Sequence, residues 1–108
     1  MLSYKKANAY YELDNPTDET DSLAIAYYHK TIAALQHHNG HDAIRTDCYI
    51  KAGNVYQGQQ RYTQSIPYYH EALQLAGQNN DTACLYQAAL YLGSARYSVS
   101  EVDSARYY

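Results

Sequence analysis

The sequence predicts an all-α solenoid of stacked helix hairpins sharing one continuous interior, and three observations predict it. The segment AIAYYHKTIAAL at 24–35 is echoed by SIPYYHEALQLA at 65–76, so that Tyr27-Tyr28-His29 falls on Tyr68-Tyr69-His70, 41 residues later. Two further landmark pairs, Gly53 with Gly93 and Ser65 with Ala105, are each 40 residues apart. Between these landmarks the apolar and aromatic positions recur with helical spacing, and Gly, Asn, Asp and Pro punctuate them where helices should stop.

Taken in order, the first helix spans Leu2 to Leu13 and ends at Asp14-Asn15-Pro16, because the residue before proline disfavours helical dihedrals and Asp and Asn favour turns. Thr17 is placed to cap the next helix, with Asp18, Glu19 and Asp21 at the positive end of its dipole. That helix runs from about Asp18 to His37, burying Leu23, Ala24, Tyr27, Tyr28, Thr31, Ile32 and Leu35, and Asn39 or Gly40 supplies its left-handed cap. A third helix begins at Asp42 and reaches the turn at Gly58. Its successor starts near Tyr62 or Thr63, so that Pro67 falls near the first turn with little or no kink, and it stops at Gly77. Asn79-Asn80-Asp81 caps a fifth helix containing Leu92-Gly93 and Arg96-Tyr97. Ser100 then caps a last helix, EVDSARYY.

The central stretch from Thr46 to Ala76, TDCYIKAGNVYQGQQRYTQSIPYYHEALQLA, places Tyr49, Ala52-Gly53, Tyr56, Ser65, Tyr69, Ala72 and Ala76 along one seam. This pattern resembles the tetratricopeptide repeat, with Tyr49, Ala52 and Ser65 replacing the usual Trp, Leu and Ala, and with no closing Pro after Ala76. The resemblance spans nearly the whole chain and implies a right-handed superhelix of about two and a half to three repeats. Repeat 1 covers about 1–40, repeat 2 about 42–78 and repeat 3 about 81–108, the last truncated. A period of 40 exceeds the roughly 34 residues of the minimal repeat. In this respect the chain is similar to longer-period arrays found in bacterial transcription regulators and kinases.

Such a superhelix has an inner groove lined mainly by the first helix of each pair. The groove residues expected here are Lys5, Ala9 and Glu12, then Asp47, Ile50, Lys51, Asn54 and Gln57, then Gln87, Leu90, Tyr91, Ser94 and Tyr97. Asn54 stands out, since an amide on a rigid helix can donate to and accept from a peptide backbone at once. Tyr91 and Tyr97 are placed to form an aromatic wall. The carboxylate clamp of repeats that grip acidic chaperone tails is absent: Lys5 fits it, but Ala9, Lys51, Gln87 and Tyr91 replace its remaining residues.

Composition narrows the function classes. Fifteen Tyr with no Phe and no Trp suit thin helical layers whose core residues keep one end wet. A formal net charge of −3 offers no broad cationic surface to nucleic acid. No run of about eighteen apolar residues suggests a membrane span, and the compartment is open with the cytoplasm as default. Cys48 and Cys84 form no ligand pattern and are expected free. His37, His38 and His41 are joined by no Cys and by no carboxylate other than Asp42, short of the matched ligands of a zinc site, so neither metal nor cofactor is expected. No nucleophile elbow, phosphate loop or HExxH is present. The expected function is a non-enzymatic scaffold binding a protein or peptide. The alternative is a regulatory or sensor segment of a larger bacterial signalling protein or transcription regulator. Self-association through the truncated C-terminal repeat is a further expectation.

Overall fold

The computed structural model describes residues 2–36 and 42–107, with side chains through Glu101. Within them the chain is all-helical, without strands: α1 (Leu2–Tyr11), α2 (Asp18–Leu35), α3 (Asp42–Gly58), α4 (Tyr62–Gln78) and α5 (Thr82–Tyr107). No helix among the described residues is long and apolar enough to cross a membrane. Each helix packs against the next in the chain, α1 also meets α3, and α3 also meets α5. No Cα of α1 or α2 lies within 8 Å of one in α4 or α5. The molecule is elongated. Its extents are 49 × 32 × 20 Å and its radius of gyration is 14.3 Å, against about 13 Å for a compact domain of this length.

Helix α2 begins where the residues demand it. Thr17 accepts a hydrogen bond from the Thr20 amide while the Thr20 hydroxyl accepts one from the Thr17 amide, a reciprocal cap for two otherwise orphaned donors. The next two described turns share one construction. Gln60, at φ 63°, and Asn80, at φ 54°, occupy the left-handed region just past their helices. Arg61 N donates to Tyr56 O at 2.8 Å and Gln60 N to Gln57 O at 3.0 Å. Twenty residues later Asp81 N donates to Ala76 O at 2.9 Å and Asn80 N to Gly77 O at 3.4 Å. These paired bonds define the Schellman ending, which satisfies the last carbonyls of a helix. Neither turn uses Gly at the left-handed position.

Three expectations need correction. Pro67 is the sixth residue of α4, beyond the first turn, so the helix forgoes one backbone bond; the Thr63 carbonyl thus released is on an exposed residue that water reaches. The break at Ser100 does not occur: α5 continues to Tyr107, because no Gly, Asn or Pro between Ser94 and Tyr107 draws the backbone out of the helix. The separate last helix, and with it the third hairpin, is thus not formed among the described residues. Helix α1 ends at Tyr11, two residues early, leaving Leu13 exposed. The cap expected at Asn39 or Gly40 lies outside the described residues.

The core is a line of small residues faced by aromatic rings. Ala7, Ala24, Tyr28, Ile32, Cys48 and Ala52 form one buried cluster, Ile50, Ala72 and Ala88 a second, and Tyr69, Leu92 and Ala95 a third. Ile50, expected in the groove, is buried in the second cluster, where α3 turns toward α4 and α5. Gly53 has a close-approach role: a Cβ there would stand 2.7 Å from Tyr69 Cε1 and 3.0 Å from Cζ. Gly93 has no such neighbour among the described residues, and a Cβ there would meet open space.

Gly53→Ala should lower stability by up to about 2 kcal/mol, since overpacking against the Tyr69 ring costs about 1–3 kcal/mol and outweighs the roughly 1 kcal/mol helix-propensity gain. Gln60→Gly should raise it by about 1 kcal/mol, because glycine adopts the left-handed conformation without the Cβ penalty. Urea titration of both variants checks the opposite signs.

Candidate functional site

Three cross-helix bonds join α1 to α3 at one constant offset of 43 residues. The Tyr4 hydroxyl donates to Asp47 Oδ2, Lys51 Nζ donates to Asn8 Oδ1 at 3.0 Å, and Asn54 Nδ2 donates to the Tyr11 hydroxyl at 3.1 Å. On each helix these rungs stand at i, i+4 and i+7, one face. A constant offset means that α1 and α3 run parallel, side by side. Farther along, Gln57 Nε2 donates to Ser94 Oγ at 2.9 Å and carries the ladder across to α5.

Behind the ladder, α2 and α4 each send one buried tyrosine through the layer. The Tyr28 hydroxyl donates to Asn8 Oδ1 at 2.7 Å. The Tyr69 hydroxyl lies 2.7 Å from both Asn54 Oδ1 and Gln57 Oε1, and its single proton serves one at a time. Asn8 thus plays in the first pair of helices the part of Asn54 in the second, and not that of Gly53, which its spacing from Tyr4 and Tyr11 suggests. Rings reinforce the layer: Tyr11 meets Tyr28 edge-on at 6.2 Å between centroids, and Tyr91 stacks on Tyr69 at 5.7 Å. Lys51 is held from every side. It pairs with Asp47 at 3.0 Å and lies 5.8 and 5.6 Å from the Tyr4 and Tyr11 ring centroids.

The groove residues named from sequence therefore fall into two groups. Asp47, Lys51, Asn54 and Gln57 are half-buried rungs engaged with one another and with α1 and α5. Lys5, Ala9 and Glu12 are exposed on α1, and Gln87, Leu90, Tyr91, Ser94 and Tyr97 on α5. The α1 rungs are Tyr4, Asn8 and Tyr11, each one residue before the position expected. Sequence reasoning missed them because tyrosine and asparagine on that face read as core and turn residues. Their signal was the matching i, i+4, i+7 spacing of hydrogen-bonding side chains on the two helices.

Burial shapes the ionisation of this layer. Desolvation, helped by the hydrogen bond to Asp47, pushes Tyr4 up to about 12, and burial raises Tyr28 and Tyr69 above the ordinary phenol value. Both cysteines are free. Burial pushes the Cys48 thiol up to about 12 and the Cys84 thiol up to about 11, so neither is an activated nucleophile. His29 Nε2 lies 2.7 Å from the Tyr68 hydroxyl and His70 Nε2 lies 3.0 Å from Arg96 Nη2, so these repeat-equivalent rings link neighbouring helices. Among the described residues no three potential ligands gather to hold a metal, and His37, His38 and His41 lie outside them. A hollow of about 410 Å³ lined by Asp42, Ala43, Thr46, Asn79 and Asp81 is acidic. Its carboxylates are engaged: Asp42 pairs with Arg45 at 3.2 Å, and Asp81 Oδ1 accepts from the Cys84 amide at 3.2 Å.

No family model matches the sequence, and no curated protein or solved structure matches it. The ladder must be interpreted on its own chemistry.

Tyr69→Phe should cost about 1–2 kcal/mol, because two half-buried amide oxygens lose the one donor they share. Tyr28→Phe should cost less, since Lys51 still donates to Asn8; chemical denaturation of the two variants checks the order. The raised tyrosines favour the neutral phenol in the fold. Their contribution is complete below the ordinary phenol value of about 10 and is lost as pH rises through the higher folded values, so the melting temperature should be level near neutrality and fall above about pH 10.

Proposed function

We propose that the chain is a non-enzymatic helical-repeat scaffold of tetratricopeptide type, whose α1–α3–α5 face holds a protein segment or peptide in extended form. The observation that carries this reading is the ladder's constant offset. Parallel first helices side by side, α1 backed by α2 and α3 by α4, are what stacked hairpins require, and together with α5 they expose one face. The interlocked rungs make that face rigid before any ligand arrives, which lowers the ordering cost of binding.

The chemistry favours polypeptide backbone over charged tails. The second N–H of Asn54 and that of Gln57 remain beyond their named bonds, and amides of this kind satisfy main-chain donors and acceptors regardless of side chain. Lys51, the only cation in the ladder, is already neutralised by Asp47. Exposed Lys5 and Glu12 at the α1 edge, and Tyr91 with Ser94 at the α5 edge, supply side-chain contacts.

Selection of a displayed random peptide library on the immobilised chain tests the reading. Peptides should emerge whose addition shifts the amide resonances of Lys5, Asn54, Gln87 and Ser94, and Asn54→Ala should weaken them by about 1 kcal/mol or more. Resonance shifts confined to α2 and α4 would remove the face from consideration.

A further inference from the structure

The first two helix pairs differ in charge at one place away from the ladder. Helices α1 and α3 correspond at an offset of 43 residues and α2 and α4 at 41, so that Lys6, Tyr27 and Lys30 match Tyr49, Tyr68 and Glu71. In the first pair the chain supplies its own cation: Lys6 Nζ lies 5.6 Å from the centroid of the Tyr27 ring. In the second pair one lysine has become a ring and the other a carboxylate. Lysines stand over the rings of Tyr4, Tyr11 and Tyr27, whereas among the described residues no cation stands over Tyr49 or Tyr68.

A hollow of about 130 Å³ opens there, lined by His29 of α2, Tyr49 of α3, and Pro67, Tyr68 and Glu71 of α4. Tyr49 and Tyr68 are half-buried, with centroids 6.5 Å apart and planes inclined at 51°, so one cation between them can stand within the roughly 6 Å at which a ring face attracts charge. His29 holds Tyr68 in place: its ring meets the Tyr68 ring edge-on at 5.6 Å, and its Nε2 lies 2.7 Å from the hydroxyl. Glu71 makes no salt bridge among the described residues. Burial, helped by the Glu71 charge, raises the Tyr49 phenol above its ordinary value, which sets that carboxylate beside the ring. Arg45 approaches the Tyr49 hydroxyl and is itself paired with Asp42 at 3.2 Å. The hollow is thus walled by rings and edged by an unpaired negative charge.

We propose that this hollow binds a quaternary ammonium head, held between the rings of Tyr49 and Tyr68 and neutralised by Glu71. Size and polarity select the methylated cation. The volume is about four times the roughly 30 Å³ share of one water molecule, room for a compact tetrahedral head. Its wall is almost wholly apolar, so the N–H groups of a primary ammonium would find Glu71 and little else, and would lose the water that serves the exposed Lys6. A quaternary nitrogen carries its charge with no proton to satisfy. Tyr49 lies midway between Asp47 and Lys51, about 200° around α3 from either, so the site is separate from the α1–α3–α5 face and independent of the peptide-binding reading.

Titration of the isotope-labelled chain with choline at constant ionic strength tests it. Binding at about millimolar concentration should shift the amide resonances of Tyr49, Tyr68 and Glu71 while those of Lys5 and Ser94 stay put. The neutral isostere, with a tert-butyl group in place of the trimethylammonium, should bind about tenfold more weakly or worse. Glu71→Gln and Tyr49→Leu should each weaken choline by about threefold or more, and Glu71→Gln should keep the parent circular dichroism because that side chain is exposed. A short peptide bearing trimethyl-lysine distinguishes the sources of the head: binding tighter than choline assigns it to a modified partner, equal or weaker binding to a free small molecule, and both support the site. No shift up to about 20 mM choline overturns the proposal. Equal binding of the neutral isostere, or indifference to Glu71→Gln, overturns it as well.

Discussion

The packing of Tyr69 against the bare backbone of Gly53 is the contact on which the other layers depend. With no Cβ between them, the ring lies directly on α3 and its hydroxyl emerges on the far side beside Asn54 and Gln57. Burying a tyrosine ring removes on the order of 150–250 Å² from water, worth a few kcal/mol, provided the hydroxyl finds a partner. The glycine thus does two things at once: it admits the ring and sets the depth at which the hydroxyl meets the ladder. Tyr28 repeats the arrangement over Ala7 and Asn8, where a methyl group is tolerated.

This construction accounts for the tyrosine-rich composition. A phenylalanine would fill the same volume and leave the amides behind it without their donors. A tyrosine joins an apolar layer to a polar one through a single side chain. Two kinds of cohesion therefore meet at each pair of helices, apolar area between α2, α3, α4 and α5, and hydrogen bonds between α1, α3 and α5. The second kind is worth little per bond when exposed, but these rungs are half-buried and each engages a neighbour that is itself fixed. The result is a polar face whose side chains are positioned before any partner meets it.

Much of the fold was legible. Thr17 as a cap, the boundaries of α3, the free cysteines and the buried side of α2 followed from local signals whose physics is confined to a few residues. The failures were of a different kind. Ser100 read as a cap because its spacing matched an earlier turn, whereas the backbone there lacks any residue that leaves a helix. Gly53 and Gly93 are identical in type and period, and only one has a ring above it. The α1 rungs Tyr4, Asn8 and Tyr11 lie one residue before the expected Lys5, Ala9 and Glu12, because alignment by tyrosines ignores what the hydroxyls reach.

The sequence by itself determined the helices, the rhythm at which they recur and the residues able to cross from apolar to polar layers, since each depends on dihedral preference or side-chain type. Tertiary structure alone decided which side chains face one another: the 43-residue offset between α1 and α3, the withdrawal of Ile50 into the core, and the vacancy beside Gly93. The physical reason is that helix formation is set within a few residues along the chain. Register between helices is chosen by the joint packing of rings, small residues and hydroxyls that lie tens of residues apart.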